Sequence, residues 1–369
     1  MDSPCGQNAN QPVAIIGMGV RLPGGISSDG EFWKFLINKQ SGRQRVPKSR
    51  YNINGFHHAK SGKENVSATH GYFLDDRDVN LKAIDSSFFV LGRGEMEAMD
   101  PQQRLLLEVM WECIESAGQT NLEGSKTGVY VGSYGEDWNH LKHHDTQDTD
   151  SYRPLGTGDF ALSNALSYHF DLRGPSMTLR TACSAAMNGL HLACQALASG
   201  DCDAAFVAGS SIILSPYLSQ DMTAKDLLSP DGVCRTFDAD ANGYARAEGV
   251  GVILVKPLQA AINDNDPIRA VIRATAVNSD GKTTGMGVPS PICHEAMIRG
   301  AYEAAGIQDV SRTAFIECHG TGTTVGDPLE TMAVGNIFGD AGIHIGSVRL
   351  PHERCHKPPD TCGLTREPR

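Results

Sequence analysis

The sequence predicts an α/β fold in which buried strands alternate with helices. Short apolar runs rich in β-branched residues, such as residues 13–16 and 250–257, are typical of buried strands. Between them lie stretches with apolar residues at helical spacing, and this alternation indicates a sheet covered by helices. Of the 369 residues, 40% are hydrophobic, which is enough for a sizeable core and excludes a mainly disordered chain.

The predicted elements follow one another along the chain. The predicted strands are residues 13–16, 128–132, 177–181, 203–213, 250–257, 268–278 and 313–319. The predicted helices are residues 101–118, 183–199, 294–306 and 327–338. The first helix has the clearest boundaries, because Asp100 is a capping residue, Pro101 fits the first helical position and Gly118 is a stop signal. Residues 40–80 and 133–158 are polar and are expected to be irregular.

Charge and hydropathy exclude several classes of protein. The chain has 32 basic and 43 acidic side chains and a formal net charge of −11, so its surface repels nucleic acid. No apolar run approaches the roughly 18 residues that a membrane span needs, and the first residues lack the pattern of a signal peptide. We therefore expect a cytoplasmic chain with ten reduced cysteines and no nucleic-acid or membrane partner.

Three local patterns suggest ligand sites but have simpler interpretations. Residues 15–25 are glycine-rich, yet Leu22 occupies the third glycine position of the dinucleotide fingerprint, so tight turns explain the glycines. The histidines and cysteines between residues 352 and 362 match no paired zinc pattern, so no metal site is expected. Asp327 and Glu330 look like an acid pair, but with Pro328 they fit a helix N-cap and a capping-box partner.

Cys183 is the strongest candidate nucleophile. It lies in the segment PSMTLRTACSAAMNG, where a β-type run meets a predicted helix. The positive end of a helix dipole stabilises negative charge on sulfur, and the unpaired N–H groups of a first helical turn can bind an oxyanion. The small residues 184–186 let this helix pack deeply and let a substrate approach. The alternative interpretation is that Cys183 is a buried structural thiol.

His319 is the second candidate, in the motif HGTGT directly after a predicted strand. An imidazole at a strand end, followed by two glycines, is held rigidly and has space beside it for a ligand. A thiol and an imidazole at the ends of two strands can act together in nucleophilic catalysis. The alternative interpretation is a turn with a hydrogen-bonded structural histidine.

Several long motifs together resemble the β-ketoacyl synthase (ketosynthase) family. They are Cys183 in TACSA, His319 in ECHGTGTTVGDPLE, the helix start DPQQRLLL and the segment SPDGVCRTFDADANGYARAEG. RLPGG at residues 21–25 and VNSDGKTTG at residues 277–285 fit the same family. The resemblance runs from about residue 13 to residue 348. The motif variants are similar to those of fungal highly reducing iterative type I polyketide synthases.

The resemblance implies a fold and a reaction. The fold is thiolase-like, with two similar α/β halves in layers (αβαβα), usually as a homodimer. In the reaction, the Cys183 thiolate accepts an acyl chain from a phosphopantetheine thioester on an acyl carrier protein, and a malonyl unit on the carrier loses CO2 and attacks the acyl-enzyme. The resemblance implies that His319 stabilises the enolate and that the backbone N–H of Cys183 contributes to an oxyanion hole. It implies no metal and no bound cofactor.

The sequence departs from the family after residue 348. The family continues there with a lysine and an Asn-x-Gly-His element whose histidine completes the catalytic triad, whereas this sequence continues with a Pro-rich segment. We therefore expect condensation by this chain to be impaired and the second half of the fold to be incomplete. The expected division is a loose tail at 1–12, an N-terminal half at 13–257, a partial C-terminal half at 258–349 and an aberrant disordered tail at 350–369.

Two other functions stay open. The first hypothesis is a non-catalytic fragment that dimerises with a full-length synthase. The second is a cysteine hydrolase or simple acyltransferase that uses Cys183 and His319. The second of these alternatives lacks a recognisable Asp or Asn that would orient the imidazole.

Overall fold

The computed structural model describes residues 11–58, 65–144, 147, 151–339 and 342–349. The chain divides into two compact units, each built from three stretches of sequence. Unit 1 comprises Met1–Phe32, Phe73–Ser215 and Ala247–Thr275, and unit 2 comprises Trp33–Tyr72, Pro216–Arg246 and Ala276–Arg369. The expected division near residue 257 stays a prediction. Residues 1–10 and the expected tail at 350–369, with its histidines and cysteines, lie outside the described residues.

All seven predicted strands and all four predicted helices are present, so the α/β prediction is confirmed. The strands are β1 (Val13–Arg21), β2 (Arg43–Arg45), β3 (His70–Tyr72), β4 (Thr127–Ser133), β5 (Ser176–Leu179), β6 (Ala204–Ser211), β7 (Gly249–Pro257), β8 (Ala270–Ile272), β9 (Phe315–Glu317) and β10 (His344–Gly346). The α-helices are α1 (Asp29–Ile37), α2 (Arg93–Ala98), α3 (Pro101–Ser116), α4 (Asp137–His143), α5 (Arg153–Thr157), α6 (Ala161–His169), α7 (Ala185–Ser199), α8 (Tyr217–Ala224), α9 (Leu258–Asn263), α10 (Pro291–Ala304) and α11 (Gly326–Phe338).

Unit 1 is built on a six-stranded mixed sheet in the order β5-β4-β6-β7-β1-β8. β4 pairs in parallel with β5 and β6, whereas β7 is antiparallel to β6 and β1. Alternate residues of a strand face opposite sides of a sheet. Val129 and Val131 of β4 accordingly join one core cluster with α3, and Tyr130 joins a second cluster with α7. Helices therefore cover both faces of the sheet.

α3 begins as predicted, because the Asp100 carboxylate accepts a hydrogen bond of 2.8 Å from the backbone N–H of Gln102. The helix packs very closely on β1. A Cβ on Gly17 would lie 2.6 Å from the carbonyl oxygen of Cys113, and a Cβ on Gly19 would collide with the carbonyl oxygen of Val109. These two glycines of the 15–25 segment therefore serve helix packing and not the tight turns that the sequence suggested.

Unit 2 contains two small sheets. β2 and β3 pair in an antiparallel ladder, and β9 and β10 pair in parallel. A compact apolar cluster lies beside the second sheet and includes Cys318, Val334, Phe338 and Ile343. This cluster fixes α11 against the segment that carries His319.

The prediction that residues 133–158 are irregular is wrong in part, because α4 and α5 lie there. The cause is a long-range contact that local sequence does not show. Asp137 is buried, and its carboxylate accepts hydrogen bonds of 2.8 and 2.9 Å from the backbone N–H groups of Leu214 and Ser215. Residues 40–80 likewise contain β2 and β3. None of the helices in the described part of the chain has the length and hydropathy to cross a bilayer.

Candidate active site

Cys183 lies in a short 3₁₀ turn, Ala182–Ser184, between β5 and α7. The predicted helix start at residue 183 is therefore wrong by two residues, since α7 begins at Ala185. Ala182 has a left-handed φ of 55°, a conformation that is rare for a residue with a side chain and stores backbone strain. The strained turn leaves the Cys183 side chain exposed just before the N-terminus of a 15-residue helix.

Small residues let α7 approach the sheet beneath this turn. A Cβ on Gly132, near the end of β4, would lie 2.6 Å from the carbonyl carbon of Ala185. A Cβ on Gly209 of β6 would lie 3.3 Å from the Cβ of Ala186. The prediction of deep packing at this helix end is confirmed. The helix is not buried on every side, because Met187 is 65% exposed.

Hydrogen bonds between polar side chains hold the turn. The Ser184 hydroxyl donates to the carbonyl oxygen of Thr181 at 2.8 Å and contacts its Oγ1 at 3.0 Å. The Asn188 amide donates to Thr181 Oγ1 and to the Ser184 carbonyl oxygen, both at 3.1 Å. Sequence reasoning missed Thr181 and Asn188. Their spacing of seven residues places an amide one turn into the helix, where it can reach back to the residue that precedes the turn.

The other cysteines contrast with Cys183. Among the seven cysteines of the described residues, Cys183 alone is exposed. Burial raises the pKa of Cys113 and of Cys318 to about 12, and that of Cys194 to about 11. These thiols therefore stay protonated near neutral pH, whereas Cys183 is open to a substrate.

His319 follows β9, as predicted, and its loop is held by the two carboxylates of the DPLE segment. Glu330 accepts hydrogen bonds of 2.6 and 2.9 Å from the backbone N–H groups of His319 and Gly320. Asp327 is buried and accepts bonds of 3.0 and 2.8 Å from the N–H groups of Gly322 and Phe237. Each carboxylate thus uses both oxygens on loop amides.

The prediction that Asp327 caps α11, with Glu330 as its capping-box partner, is therefore wrong. The helix begins at Gly326, its N-cap residue Val325 makes no side-chain cap, and the Thr323 hydroxyl accepts a hydrogen bond of 3.1 Å from the N–H of Gly326. The physical reason is that the carboxylate oxygens of Asp327 and Glu330 already accept hydrogen bonds from backbone amides outside the helix. Gly320 and Gly322 have left-handed φ values of 51° and 75°, a backbone conformation that turns the loop amides toward the two carboxylates.

The His319 imidazole is accessible to water at the surface of unit 2. Surrounding protein atoms nevertheless remove part of the water around the imidazole, and this desolvation lowers its pKa below the ordinary value. The positive charge of Arg349 lowers the pKa further. The neutral imidazole is therefore the main form at neutral pH. Cys183 belongs to unit 1 and His319 to unit 2, and each is held within its own unit by the contacts described above.

Metal-ligand groups and cavities in the described part of the chain are the other candidate ligand sites. Within the described residues, no group of three or more His, Cys, Asp and Glu side chains is arranged to hold a metal ion. Unit 1 has a cavity of about 620 Å³ whose lining includes Arg21, Asp78 and Glu108. Cys183 does not line that cavity, so the sulfur is reached from the open surface.

Comparison with known proteins identifies the family. The sequence profile described as "Beta-ketoacyl synthase, N-terminal domain" matches residues 10–261, and the profile of the corresponding C-terminal domain matches residues 269–352. The chain is 52% identical over 338 residues to the highly reducing polyketide synthase g433 of a Fusarium species, which covers 92% of this chain and 13% of the relative. It is 50% identical over 343 residues to the highly reducing polyketide synthase sphB of Aspergillus fumigatus, covering 93% of this chain and 14% of the relative.

Solved structures that are similar to this chain are also ketosynthases. A ketosynthase from module 6 of the bacillaene synthase of Bacillus subtilis 168 matches with a TM-score of 0.81 at 32% identity, over 92% of this chain and 57% of that chain. The oxazolomycin ketosynthase domain OzmH KS7 of Streptomyces albus JA3453 matches with a TM-score of 0.84 at 31% identity, over 93% and 59%. The chain thus spans more than half of these structures but only about an eighth of the curated relatives. It has the thiolase-like ketosynthase fold and belongs to the β-ketoacyl synthase family, a family of acyltransferase-type condensing enzymes.

Proposed function

We propose that this chain is a ketosynthase that performs decarboxylative Claisen condensation in polyketide biosynthesis, with Cys183 as nucleophile. The observation that carries the proposal is the exposed thiol in a strained turn at the start of α7, inside the region that matches the family. The other described cysteines are buried or half-buried. A nucleophile must be reached by its substrate, and Cys183 meets that condition.

The first half of the reaction is a thioester exchange. The Cys183 thiolate attacks the carbonyl carbon of an acyl thioester, the carbon–sulfur bond to the phosphopantetheine arm breaks, and the arm leaves as a thiolate that takes a proton from water. Negative charge on the sulfur and on the tetrahedral oxygen is stabilised by the positive end of α7 and by backbone N–H groups of the turn, including that of Cys183. The hydrogen bonds of Ser184 and Asn188 keep the turn in place during this exchange.

In the second half, a malonyl thioester loses CO2, and the electron pair of the broken C–C bond forms an enolate. The enolate carbon attacks the acyl carbonyl, a C–C bond forms, and the Cys183–acyl bond breaks to return the thiolate. His319 donates an N–H to the enolate oxygen, and its lowered pKa supports a neutral donor at this position. Glu330 and Asp327 act as positioning residues that fix the loop of His319.

The substrates and partners follow from the same proposal. Acyl and malonyl groups arrive on the phosphopantetheine of an acyl carrier protein, and the chain itself uses no bound cofactor. We propose a homodimer in the cytoplasm. We retain the division into an N-terminal half at 13–257 and a partial C-terminal half at 258–349, which the two family matches support.

Mass spectrometry of the intact protein tests the proposal. After incubation with an acyl thioester, we expect a mass increase of one acyl group on the wild-type chain and on Cys293→Ala, a matched control at a half-buried thiol. Cys183→Ala should not be acylated, and equal acylation of Cys183→Ala would overturn the assignment. Adding malonyl carrier protein then tests condensation. The expectation of weak condensation by this chain stays a prediction, which an abundant β-ketoacyl product would contradict.

The second candidate is a non-catalytic fragment that dimerises with a full-length synthase. The observation that favours it is β5, which is an edge strand of the described sheet and carries the exposed residue Met177. Edge strands have free backbone groups that pair with another chain. Capture of a tagged full-length synthase by a chain that shows no acylation would favour this candidate over the enzyme.

A further inference from the structure

Gln102 lies in the first turn of α3, within unit 1, and is almost completely buried. It is only 3% exposed, although its amide group is polar and α3 packs within an apolar core cluster. Burying an amide is costly unless its polar atoms find hydrogen-bond partners. The partners of Gln102 therefore indicate what a polar side chain contributes at this position.

The amide oxygen of Gln102 joins two neighbouring strands. The buried Ser210 hydroxyl donates to this oxygen at 3.0 Å, and the buried Ser133 hydroxyl donates to it at 3.3 Å. Ser133 ends β4, Ser210 lies one residue before the end of β6, and the two serines pair in the sheet. A carbonyl oxygen has two lone pairs, so the serines use its whole acceptor capacity. We call these three side chains the Gln102 bridge.

Asp100 fixes the direction of the Gln102 amide. Its carboxylate accepts a hydrogen bond of 2.8 Å from the backbone N–H of Gln102 and one of 3.1 Å from the side-chain Nε2. Burial raises the pKa of Asp100 to about 6, so at neutral pH the carboxylate is mainly ionised and can only accept. The amide of Gln102 therefore turns its nitrogen to Asp100 and its oxygen to the two serines.

The Gln102 bridge lies directly behind the surface on which α7 packs. Each serine of the bridge follows a glycine, Gly132 in β4 and Gly209 in β6, and these glycines also pair in the sheet. Successive residues of a strand face opposite sides, so the glycines face α7 and the serines face α3. A Cβ on Gly132 would lie 2.3 Å from the backbone nitrogen of Ala186, and one on Gly209 would lie 3.3 Å from the Ala186 Cβ. The bridge and the contact with α7 thus use opposite faces of the same two strand ends.

A shift of either strand end would move the Cys183 turn. α7 begins two residues after Cys183, and its first residues, Ala185 and Ala186, pack on the two glycines. Closely packed interiors transmit such displacements. The backbone N–H groups that stabilise the oxyanion in the proposed reaction would move with the turn. A misplacement of about 1 Å can slow a reaction about 100-fold, so the two strand ends need to be fixed.

We propose that Gln102 is a positioning residue for Cys183, which joins the ends of β4 and β6 and thereby fixes the start of α7 for thioester exchange. This inference rests on the proposed function and adds to it a residue that acts from the opposite face of the sheet. The neighbouring Gln103 is equally buried, at 2% exposed, but its amide donates to the carbonyl oxygen of Leu155 in α5 at 2.9 Å. Gln103 is therefore a matched control of the same residue type on the same helix.

The test compares two reactions of Cys183 in Gln102→Met, whose side chain has a similar length but no N–H donor and only a weak acceptor. Acylation by butyryl-N-acetylcysteamine develops an oxyanion, whereas in alkylation by iodoacetamide the thiolate displaces iodide and no oxyanion forms. Mass spectrometry of the peptide that contains Cys183 measures both rates. We expect the ratio of acylation to alkylation to fall about tenfold in Gln102→Met. Gln103→Met should lower the melting temperature by a similar amount and change the ratio by less than about twofold, because it also loses one buried hydrogen bond.

A double-mutant cycle tests whether Gln102 acts through the two strands. Ser133→Ala/Ser210→Ala should lower the same ratio, and Gln102→Met in that background should lower it by no more than about twofold further. A repeated tenfold loss would overturn the bridge, since Gln102 would then act by another route. If Gln102→Met does not fold, Ser210→Ala takes its place, because it removes the shorter of the two bonds. An unchanged ratio in Ser210→Ala would then overturn the proposal.

The remaining outcomes separate positioning from catalysis. An unchanged ratio in Gln102→Met would overturn the positioning role while the proposed function stands. An equal loss of both reactions, or the same fall of the ratio in Gln103→Met, would also overturn it, because the effect would then be one of general stability. If butyryl-N-acetylcysteamine does not acylate the wild-type chain, the proposed function fails, and amide hydrogen exchange of residues 181–192 decides whether the bridge holds the turn. Faster exchange in Gln102→Met than in Gln103→Met would support the bridge, and equal exchange would overturn it.

Discussion

The Cys183 turn of unit 1 and the His319 loop of unit 2 are held by different forces. Beneath the Cys183 turn, Gly132 and Ala185 let a helix pack directly on a sheet. The His319 loop is instead held by Glu330 and Asp327, whose carboxylates accept four charge-assisted hydrogen bonds. The structure of the first site is thus sensitive to added side-chain volume, and that of the second is sensitive to the loss of a carboxylate. This difference determines which substitutions should damage each site.

The largest effect is expected from Gly132→Ala. Its added Cβ would collide with the backbone of Ala185 and Ala186, which cannot move without displacing α7. Overpacking of this kind costs about 2–3 kcal/mol, and it should also displace the Cys183 turn. We expect a clear loss in the free energy of unfolding, measured by urea titration, and little acylation. Gly251→Ala in β7 is the matched control because its Cβ would meet no atom within 4 Å. Equal stability of the two variants would contradict the volume argument.

A smaller effect on stability is expected from Glu330→Gln. The substitution keeps the shape but removes the charge, so one of two loop N–H groups loses its acceptor. Hydrogen bonds to a charged group contribute about 1.5–3 kcal/mol each. Condensation should fall more than self-acylation, since Glu330 holds the loop of His319 and the proposed self-acylation depends on Cys183. Product analysis against the exposed control Glu303→Gln measures the ratio of the two activities. A proportional loss of both would contradict a role limited to the loop.

Asn188→Ala should have a milder effect on the Cys183 turn. It removes the amide that links Thr181 to Ser184, but Ser184 keeps its own bonds to Thr181. Neutral hydrogen bonds contribute about 1 kcal/mol each, less at an exposed site. We expect acylation by a small thioester to slow a few-fold while the melting temperature changes little. A wild-type acylation rate would show that the strained backbone at Ala182 holds the turn without help.

The smallest effect concerns pH. The pKa of His319 is lowered in the folded chain, so below about pH 6.5 the unfolded chain binds more protons at this residue than the folded one. The wild type should therefore lose stability as the pH falls through that window, and His319→Gln should lose less. Melting temperatures at pH 8 and pH 5.5 measure the difference. A steeper pH dependence in His319→Gln would reverse the sign and contradict the lowered pKa.

The sequence predicts local features of this fold better than distant ones. The boundaries of α3 were predictable because Asp100, Pro101 and Gly118 act within one helical turn of their positions. The cap assigned to Asp327 was wrong because its true donors include the N–H of Phe237, 90 residues away in the chain. A capping pattern in the sequence shows only that a side-chain acceptor is available. Which backbone amides donate to that acceptor depends on the tertiary structure.

Cys183 stands out as a candidate nucleophile because its residue type, the adjacent small residues and the helix start coincide in one short segment. Thr181 and Asn188 were missed because their side chains act only once the 3₁₀ turn has formed. The close approach of α3 to Gly17 and Gly19 was also not predictable, since the sequence alone does not distinguish a glycine needed for packing in a strand from a glycine needed in a turn. Packing distances to α3 distinguish the two.

The position of β1 in the sheet has a consequence for synthesis of the chain. β1 pairs with β7 and β8, and Val13 lies opposite Pro257. A ribosome adds about 5–20 residues each second, so β1 waits roughly 10–50 seconds for its neighbours. During that interval an apolar strand has no hydrogen-bonded partner. The newly made chain therefore depends on chaperones most heavily until β7 has been made, and slowing translation before that point should increase aggregation.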